Sequence, residues 1–276
     1  MKTYEEIIPI LERNGRARGL KINVKNPVTI QDKIAWLMVY DSTALKSKCA
    51  DKVRIHEYCK EKLGEDICTP IIKVWDKVSD IDWDSLPDRF VIKCNHGSGM
   101  NIIVKDKKSL DIESAKRSLN KWMGDDFAMR VNREMHYHAI PHKVFAEEYL
   151  EDDKQTTSLF DYKFWCFNGE PKFYSINDGQ GHGAINHYDL DGNYIAELSR
   201  PGYPSNPDKN YPQPKNKEKM IECAKKLSAD FKFVRVDFYE VGGKMYLGEL
   251  TFTPGAGLFR YEKKGYDVKV GNMLKL

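Results

Sequence analysis

The chain lacks any run of about 18 consecutive apolar residues, so nothing in it reads as a membrane-spanning helix. Its first residues, MKTYEEIIPILERNG, mix charged and apolar positions and lack the unbroken apolar core of a signal peptide. They read as a helix in a cytosolic protein. Cysteine is sparse: six residues, at 49, 59, 68, 94, 166 and 223, with no Cys-x-x-Cys pair. That spacing argues against a disulfide framework and against a zinc site, and reads as reduced, mostly buried thiols. An excess of one charge is missing too. Lys and Arg number 44 against 41 Asp and Glu, leaving +3, too little to imply a nucleic-acid partner. The clusters KDKK (105–108) and KNKEK (215–219) read as solvated faces. No internal repeat divides the chain.

What remains is 276 residues, 41% hydrophobic and 31% charged. That suits one large globular domain or a few lobes sharing cores. The first 64 residues look helical: TIQDKIAWLMVYD opens on a Thr29 N-cap and puts Ile30, Ile34, Leu37 and Met38 on one face. DKVRIHEYCKEKLG (51–64) predicts a second helix closed by Gly64. Strands are expected at 71–75, on both sides of a glycine loop within 89–104, and at 143–150; helices at 111–123 and 216–231. DYKFWCFNGEPKFYSI (161–176) predicts a hairpin through the type I′ pair Asn168-Gly169, and 232–252 a second one turning at Gly242-Gly243. The proline-rich segment 200–214 must be loop or extended tether. Hairpins mixed with helices point to an α+β fold with largely antiparallel sheets.

Side-chain alternation puts Arg235 and Asp237 on one face of the last hairpin, and Glu249 and Thr251 on one face of its second strand. A two-residue Gly242-Gly243 turn pairs Val241 with Lys244 and would separate Asp237 from Glu249. Only a three-residue turn or a bulge brings them together. Two inward carboxylates need a cation, and oxygen donors suit Mg²⁺. A surface hairpin with both acids in water is the equal alternative. In VIKCNHGSG (91–99), Lys93 ends an apolar strand, and Gly97 and Gly99 would let backbone N–H groups approach an anion. An ordinary hairpin loop, with His96 incidental, reads as well. Glu147 and Glu148 end an apolar strand; one could bond a ribose or a base edge. Lys163 beside Asp161 is a phosphate ligand or a plain ion pair. His136, His138 and His142 cluster, but Pro141 interrupts them and no carboxylate partner is spaced to complete a metal site.

In their order along the chain these pieces resemble the ATP-grasp superfamily, and more closely its TupA-like branch, associated with teichuronopeptide and other bacterial surface polysaccharides. The phrases DKVRIHEY, LPDRFVIKCNHGSG, EEYL, DYKFWCFNGEP, FVRVDFY and GELTFTPGAG carry the resemblance across most of 48–257. It implies an ATP-grasp fold: a mainly helical N-terminal region (1–86), a small lobe with the glycine loop (87–150) and a large lobe with the Mg²⁺ and phosphate site (151–276), the two lobes clasping ATP. It implies that Lys93 binds ATP phosphates under the loop formed by His96, Gly97, Ser98 and Gly99. Glu147, Glu148, Tyr149 and Leu150 would form the adenine and ribose hinge. Lys163 would be a second phosphate-side contact, and Arg235 would steady the transferred phosphoryl group. Asp237 and Glu249 would hold Mg²⁺. Thr251 stands where many members place an asparagine, and a hydroxyl is the poorer ligand. Gly255 and Gly257 would turn backbone N–H groups toward the acceptor.

The activity implied is carboxylate–amine ligation through an acyl phosphate, joining an amino acid or amino sugar to a uronic acid. Its setting would be the bacterial cytoplasm, near the inner face of the membrane but not within it. The GQGHG stretch (179–183) and segment 200–214 are either substrate walls or passive connectors. Two alternatives stand beside this reading: a glycosyltransferase, since Asp-bearing strands also bind Mg²⁺ with sugar nucleotides, and a nonenzymatic nucleotide-binding protein.

Overall fold

The structure is a computed structural model and describes residues 3–130, 132–151, 159–177, 184–203, 205–209 and 211–276. Four helices come first: α1 (Ile8–Ala17), α2 (Ile30–Tyr40), α3 (Ala44–Ala50) and α4 (Ile55–Leu63). Thr29 caps α2 by accepting from the Asp32 N–H, and Asp32 reaches back to the Thr29 N–H at 2.9 Å, a capping box. The helix expected over 51–64 begins only at Ile55. The Asp51 carboxylate accepts from the Val53 and Arg54 N–H groups, and that local turn competes with a helical first turn. Gly64 ends α4 in the left-handed conformation, as expected.

A smaller antiparallel sheet follows, in the order β1-β4-β2-β3: β1 (Ile71–Trp75), β2 (Phe90–Cys94), β3 (Asn101–Val104) and β4 (Val144–Glu148). Its edge strand β1 comes from the stretch 1–86, which therefore contributes a strand as well as helices. α5 (Ile112–Met123), capped by Asp111, packs Ala115 and Leu119 against Phe90 and Ile92. The expected strand 143–150 ends at Glu148, leaving Tyr149 and Leu150 beyond the ladder.

The larger sheet runs β7-β6-β5-β8-β9: β5 (Asp161–Phe167), β6 (Glu170–Asn177), β7 (Ile185–Tyr188), β8 (Phe233–Val241) and β9 (Lys244–Thr251). Asn168 (φ 50°) and Gly169 (φ 81°) make the β5–β6 turn left-handed at both positions, as a type I′ pair requires. Asn168 is then fastened by its amide to Lys275. On one face of this sheet Phe164, Cys166, Val234, Val236 and Phe238 pack under α6 (Lys217–Ser228) and α4. On the other face Trp165, Phe167, Phe173 and Phe233 pack under α1, α2 and the short C-terminal helix α7 (Tyr266–Gly271). All six cysteines are buried and free. Among the described residues no helix is long and apolar enough to cross a membrane.

The second face carries the functional argument. Along β5 it reads Phe167, Trp165, Lys163, Asp161; along β8 it reads Phe233, Arg235, Asp237, Tyr239. The helices cover only the aromatic end. Where that cover stops, the same face turns charged. Trp165 marks the boundary: it is fully buried, cross-paired with Arg235 and stacked on Phe173 at 5.4 Å. Trp165→Ala is expected to destabilise the fold by about 3–5 kcal/mol, the usual cost of deleting a buried large aromatic. A urea titration that moved by less than about 1 kcal/mol would contradict this packing role.

Candidate active site

The register of the last hairpin decides whether the two expected metal carboxylates meet. The Gly242-Gly243 turn is the tight two-residue one, both glycines at positive φ, and Val241 pairs with Lys244. Taken alone that register separates Asp237 from Glu249. A bulge between the Asp237 and Phe238 pairings takes Gly248 out of the ladder, so Phe238 faces Leu247 but Asp237 faces Glu249. Glycine is required there by space: a Cβ on Gly248 would lie 2.7 Å from the Tyr239 ring and 3.3 Å from the Asp237 carbonyl oxygen.

Asp237, 2% exposed, is gripped by Arg235 through Nε (2.7 Å) and a terminal nitrogen (2.5 Å) and by Lys163 Nζ at 3.1 Å. Lys163 also pairs with Asp161 at 3.1 Å. Thr251 donates to Glu249 Oε1 at 2.9 Å and accepts from Arg235 at 3.1 Å, so it orients the glutamate and joins the arginine. Burial works against the Arg235 charge, but Asp237 and Glu249 outweigh it and keep the guanidinium protonated. Burial likewise opposes ionised Glu249, yet Lys52, Arg235 and Lys163 prevail and pull its pKa to about 2.

Three cavities join over these residues. The central one is lined by Lys52, Lys93, Glu147, Asp161, Lys163, Asp237 and Glu249. It shares Lys93, Glu147 and Asp161 with an outer cavity that adds Glu148, Tyr149, Leu150, Val91 and Ile103. It shares Lys163 with a third that adds Arg235 and Gly255. Lys93 is ion-paired with Glu147. The structure thus brings together Lys93, Lys163, Arg235, Asp237, Glu249, the 147–150 segment and Gly255, drawn from both sheets and the loop after β9.

Other expected site residues stand elsewhere. His96 is 1% exposed, donates through Nε2 to Trp122 O (3.0 Å) and stacks on His142 at 3.6 Å, inside the small lobe rather than on the cavity wall. Burial and the neighbouring His142 lower its pKa to about 4, so it is neutral. Gly97 is buried against Phe127 and Met100, and its carbonyl accepts from Lys52 Nζ at 2.5 Å; Ser98 and Gly99 sit exposed at the loop tip. Gly257 is buried, its α-carbon facing Ile34 of α2, whereas Gly255 is exposed. His136 is buried apart from the exposed, Asp126-paired His138, so the histidine cluster of the sequence is dispersed. Stretch 179–183 lies outside the described residues; from segment 200–214, Arg200, Pro201 and Tyr203 line the third cavity.

Sequence reasoning missed Lys52. Asn95, fully buried, donates to Asp51 Oδ1 (2.8 Å) and Pro141 O (3.0 Å) and accepts from the Lys143 N–H (2.8 Å). That latch holds the turn before α4 against the glycine loop and aims Lys52 into the cavity. Its only trace in the sequence is the phrase DKVR. Glu134 was missed too: it accepts from Thr253 Oγ1, next to the Pro254–Gly257 turn.

The model of the family described as TupA-like ATPgrasp matches residues 32–275. The chain belongs to the TupA-like ATP-grasp family. The matched span takes in every cavity residue named above. No curated protein matches the chain. Among solved structures, this ATP-grasp chain is similar to a D-alanine–D-alanine ligase from Helicobacter pylori (TM-score 0.49, 17% identity, covering 82% of this chain and 61% of that one). It is also similar to the D-alanine–D-alanine ligase from Bacillus anthracis (0.40, 17%, 74% and 57%) and to an L-amino acid ligase from Bacillus licheniformis (0.44, 15%, 76% and 44%). It spans less than two thirds of each.

Burial, partly opposed by the Thr253 bond, raises the Glu134 pKa to about 7 from its ordinary 4.5. Between those values the folded chain binds more protons than the unfolded one, so this group makes stability fall as pH rises from about 4.5 to 7. Glu134→Gln is expected to remove that part of the decline. Melting temperatures of both proteins across the window check it; parallel curves would refute it.

Proposed function

We propose that this protein is an ATP-dependent carboxylate–amine ligase that works through an acyl phosphate. Its product is an amide between an amino acid or amino sugar and a uronic acid, made on the cytoplasmic side during bacterial surface polysaccharide synthesis. The observation that carries the reading is the chain of three cavities joined through Lys93, Glu147 and Lys163, within a family-matched chain.

Each cavity suits one part of the reaction. The outer one, with an apolar wall of Val91 and Ile103 and the 147–150 segment at its edge, suits adenine and ribose. The central one suits the phosphates. Its three lysines (Lys52, Lys93 and Lys163) face four carboxylates (Glu147, Asp161, Asp237 and Glu249). Their formal sum is −1, and Arg235, which grips Asp237 from the adjoining cavity, only brings it to zero, so the protein alone offers no surplus positive charge to a nucleoside triphosphate. A divalent cation arriving with ATP answers that need. The donor set fits it: two carboxylates face each other across β8 and β9, all ligating atoms are oxygen, and Glu249 has one oxygen free of protein hydrogen bonds among the described residues. Asp237 and Glu249 would hold Mg²⁺, which supplies neutralisation of phosphate charge. Thr251 serves by orienting Glu249.

The protein's own residues then do the following. Lys93, released from Glu147, and Lys52, anchored on the Gly97 carbonyl, hold the phosphate chain. Lys163 and Arg235, at the junction of the central and third cavities, stabilise charge on the γ-phosphoryl group as an acceptor carboxylate oxygen attacks phosphorus and the bond to ADP breaks. The amine then attacks the acyl carbon, loses a proton, and inorganic phosphate leaves. The loop at 95–100 and Gly255 close the site against water, which would otherwise hydrolyse the acyl phosphate. A glycosyltransferase would use an Asp-x-Asp triplet on its metal. Triplets do occur, at Asp80–Asp82, Asp82–Asp84 and Asp189–Asp191, but none of these residues lines the joined cavities.

Glu249→Gln is expected to lower amine- and uronate-dependent ADP release by about a hundredfold or more, the usual loss on removing a charge-stabilising group. Turnover of a nucleotide sugar without ATP would overturn the proposal, and an unchanged function in Glu249→Gln would favour a nonenzymatic role.

A further inference from the structure

The third cavity differs from the central one in its charge. It is lined by five cations, Arg18, Arg200, Arg260, Arg235 and Lys163, and by no carboxylate among the described residues. Arg235 and Lys163 are committed to Asp237 and Asp161. Arg18, Arg200 and Arg260 have no acidic partner among the described residues.

Arg200 is the informative one. Its guanidinium lies over three aromatic rings: Phe259 at 5.4 Å, Trp165 at 5.8 Å and Tyr203 at 5.8 Å. Its Nε is buried without a hydrogen-bond acceptor. Burial lowers its pKa, and the charge of Arg235 adds to that. Leaving the buried edge of a guanidinium unpaired is costly, and three rings hold it in that position. Arg260 comes from the segment after the Pro254–Gly257 turn, and Arg18 from the end of α1; Gly19 lies beside the Arg260 guanidinium. Three separate parts of the chain therefore converge their arginines on one cavity, next to the residues that would face the transferred phosphoryl group. Arginine forks match carboxylate and phosphate oxygens in pairs.

We propose that this cavity selects an acceptor with two anionic groups. One is the reacting carboxylate, directed at Lys163 and Arg235. The other, a carboxylate or a phosphate, is bound by Arg200 with Arg260 and Arg18. The inference rests on the ligase reading for the first group, but the second group's site stands on the arginines alone.

The test uses the full chain with three acceptors of one sugar skeleton: glucuronic acid with one anionic group, glucaric acid with a second carboxylate, and glucuronic acid 1-phosphate with a phosphate. Binding is followed calorimetrically in the presence of ADP, and turnover by ADP release with an amine. The two doubly anionic compounds distinguish the sources of the second charge; at least one should bind about tenfold or more tighter than glucuronic acid. Arg200→Met should erase that preference while leaving the KM for ATP in place. Arg260→Met, at an exposed position, should weaken it and guards against a folding defect in the first variant. Equal binding of all three acceptors, or a preference untouched by both variants, would overturn the proposal. Arginine-dependent binding without turnover would support the anion site while removing the ligase reading.

Discussion

Side chains alternate across a strand, so two acids on neighbouring strands share a face only if the ladder permits it. In this hairpin the turn does not permit it; the bulge at Gly248 does. Everything at the centre of the cavity follows from that one displaced residue. It sets Glu249 opposite Asp237, puts Thr251 within reach of both Glu249 and Arg235, and lets Arg235 join the two strands. The absence of a side chain at 248 also leaves room for Tyr239, which lines the wall shared by the central and outer cavities.

The second constraint is where the helical cover ends. One face of the large sheet is continuous in geometry but not in chemistry. Under α1, α2 and α7 it is aromatic, and beyond them it is ionic. Buried charge is tolerated there because its members are partnered: Asp237 between Arg235 and Lys163, Lys163 between Asp237 and Asp161, Lys93 against Glu147, and Lys52 on the Gly97 carbonyl. Breaking one of these pairs would strand its partner, which ties stability and chemistry to the same residues.

Local signals were legible in the sequence and long-range ones were not. The Thr29 cap, the Asn168-Gly169 turn and the Gly64 helix end depend on neighbours within four residues, and each appears where the sequence placed it. The condition for Asp237 and Glu249 to meet could be stated from alternation alone. Choosing between a longer turn and a bulge could not, because the deciding contact is Gly248 with Tyr239 on the other strand. The burial of His96 was not legible, because its glycine neighbours suggest an open loop, whereas Trp122 and His142, both distant in sequence, bury it. Lys52 and Arg200 were passed over for the same reason: an ordinary basic residue becomes a site residue only through a buried asparagine in one case and three aromatic rings in the other.

The Asp51–Asn95 latch has a mechanical meaning. Asn95 fixes the start of the glycine loop to the turn that carries Lys52, and Lys52 holds the carbonyl of Gly97 in the same loop. The loop and the ammonium group are thus one rigid piece, tied at two points. A shift of that piece relative to the large sheet transports a positive charge toward or away from Glu249, whose ionisation already responds to Lys52. Any such shift would be an electrical event as much as a steric one, because the piece carries a charge at its end.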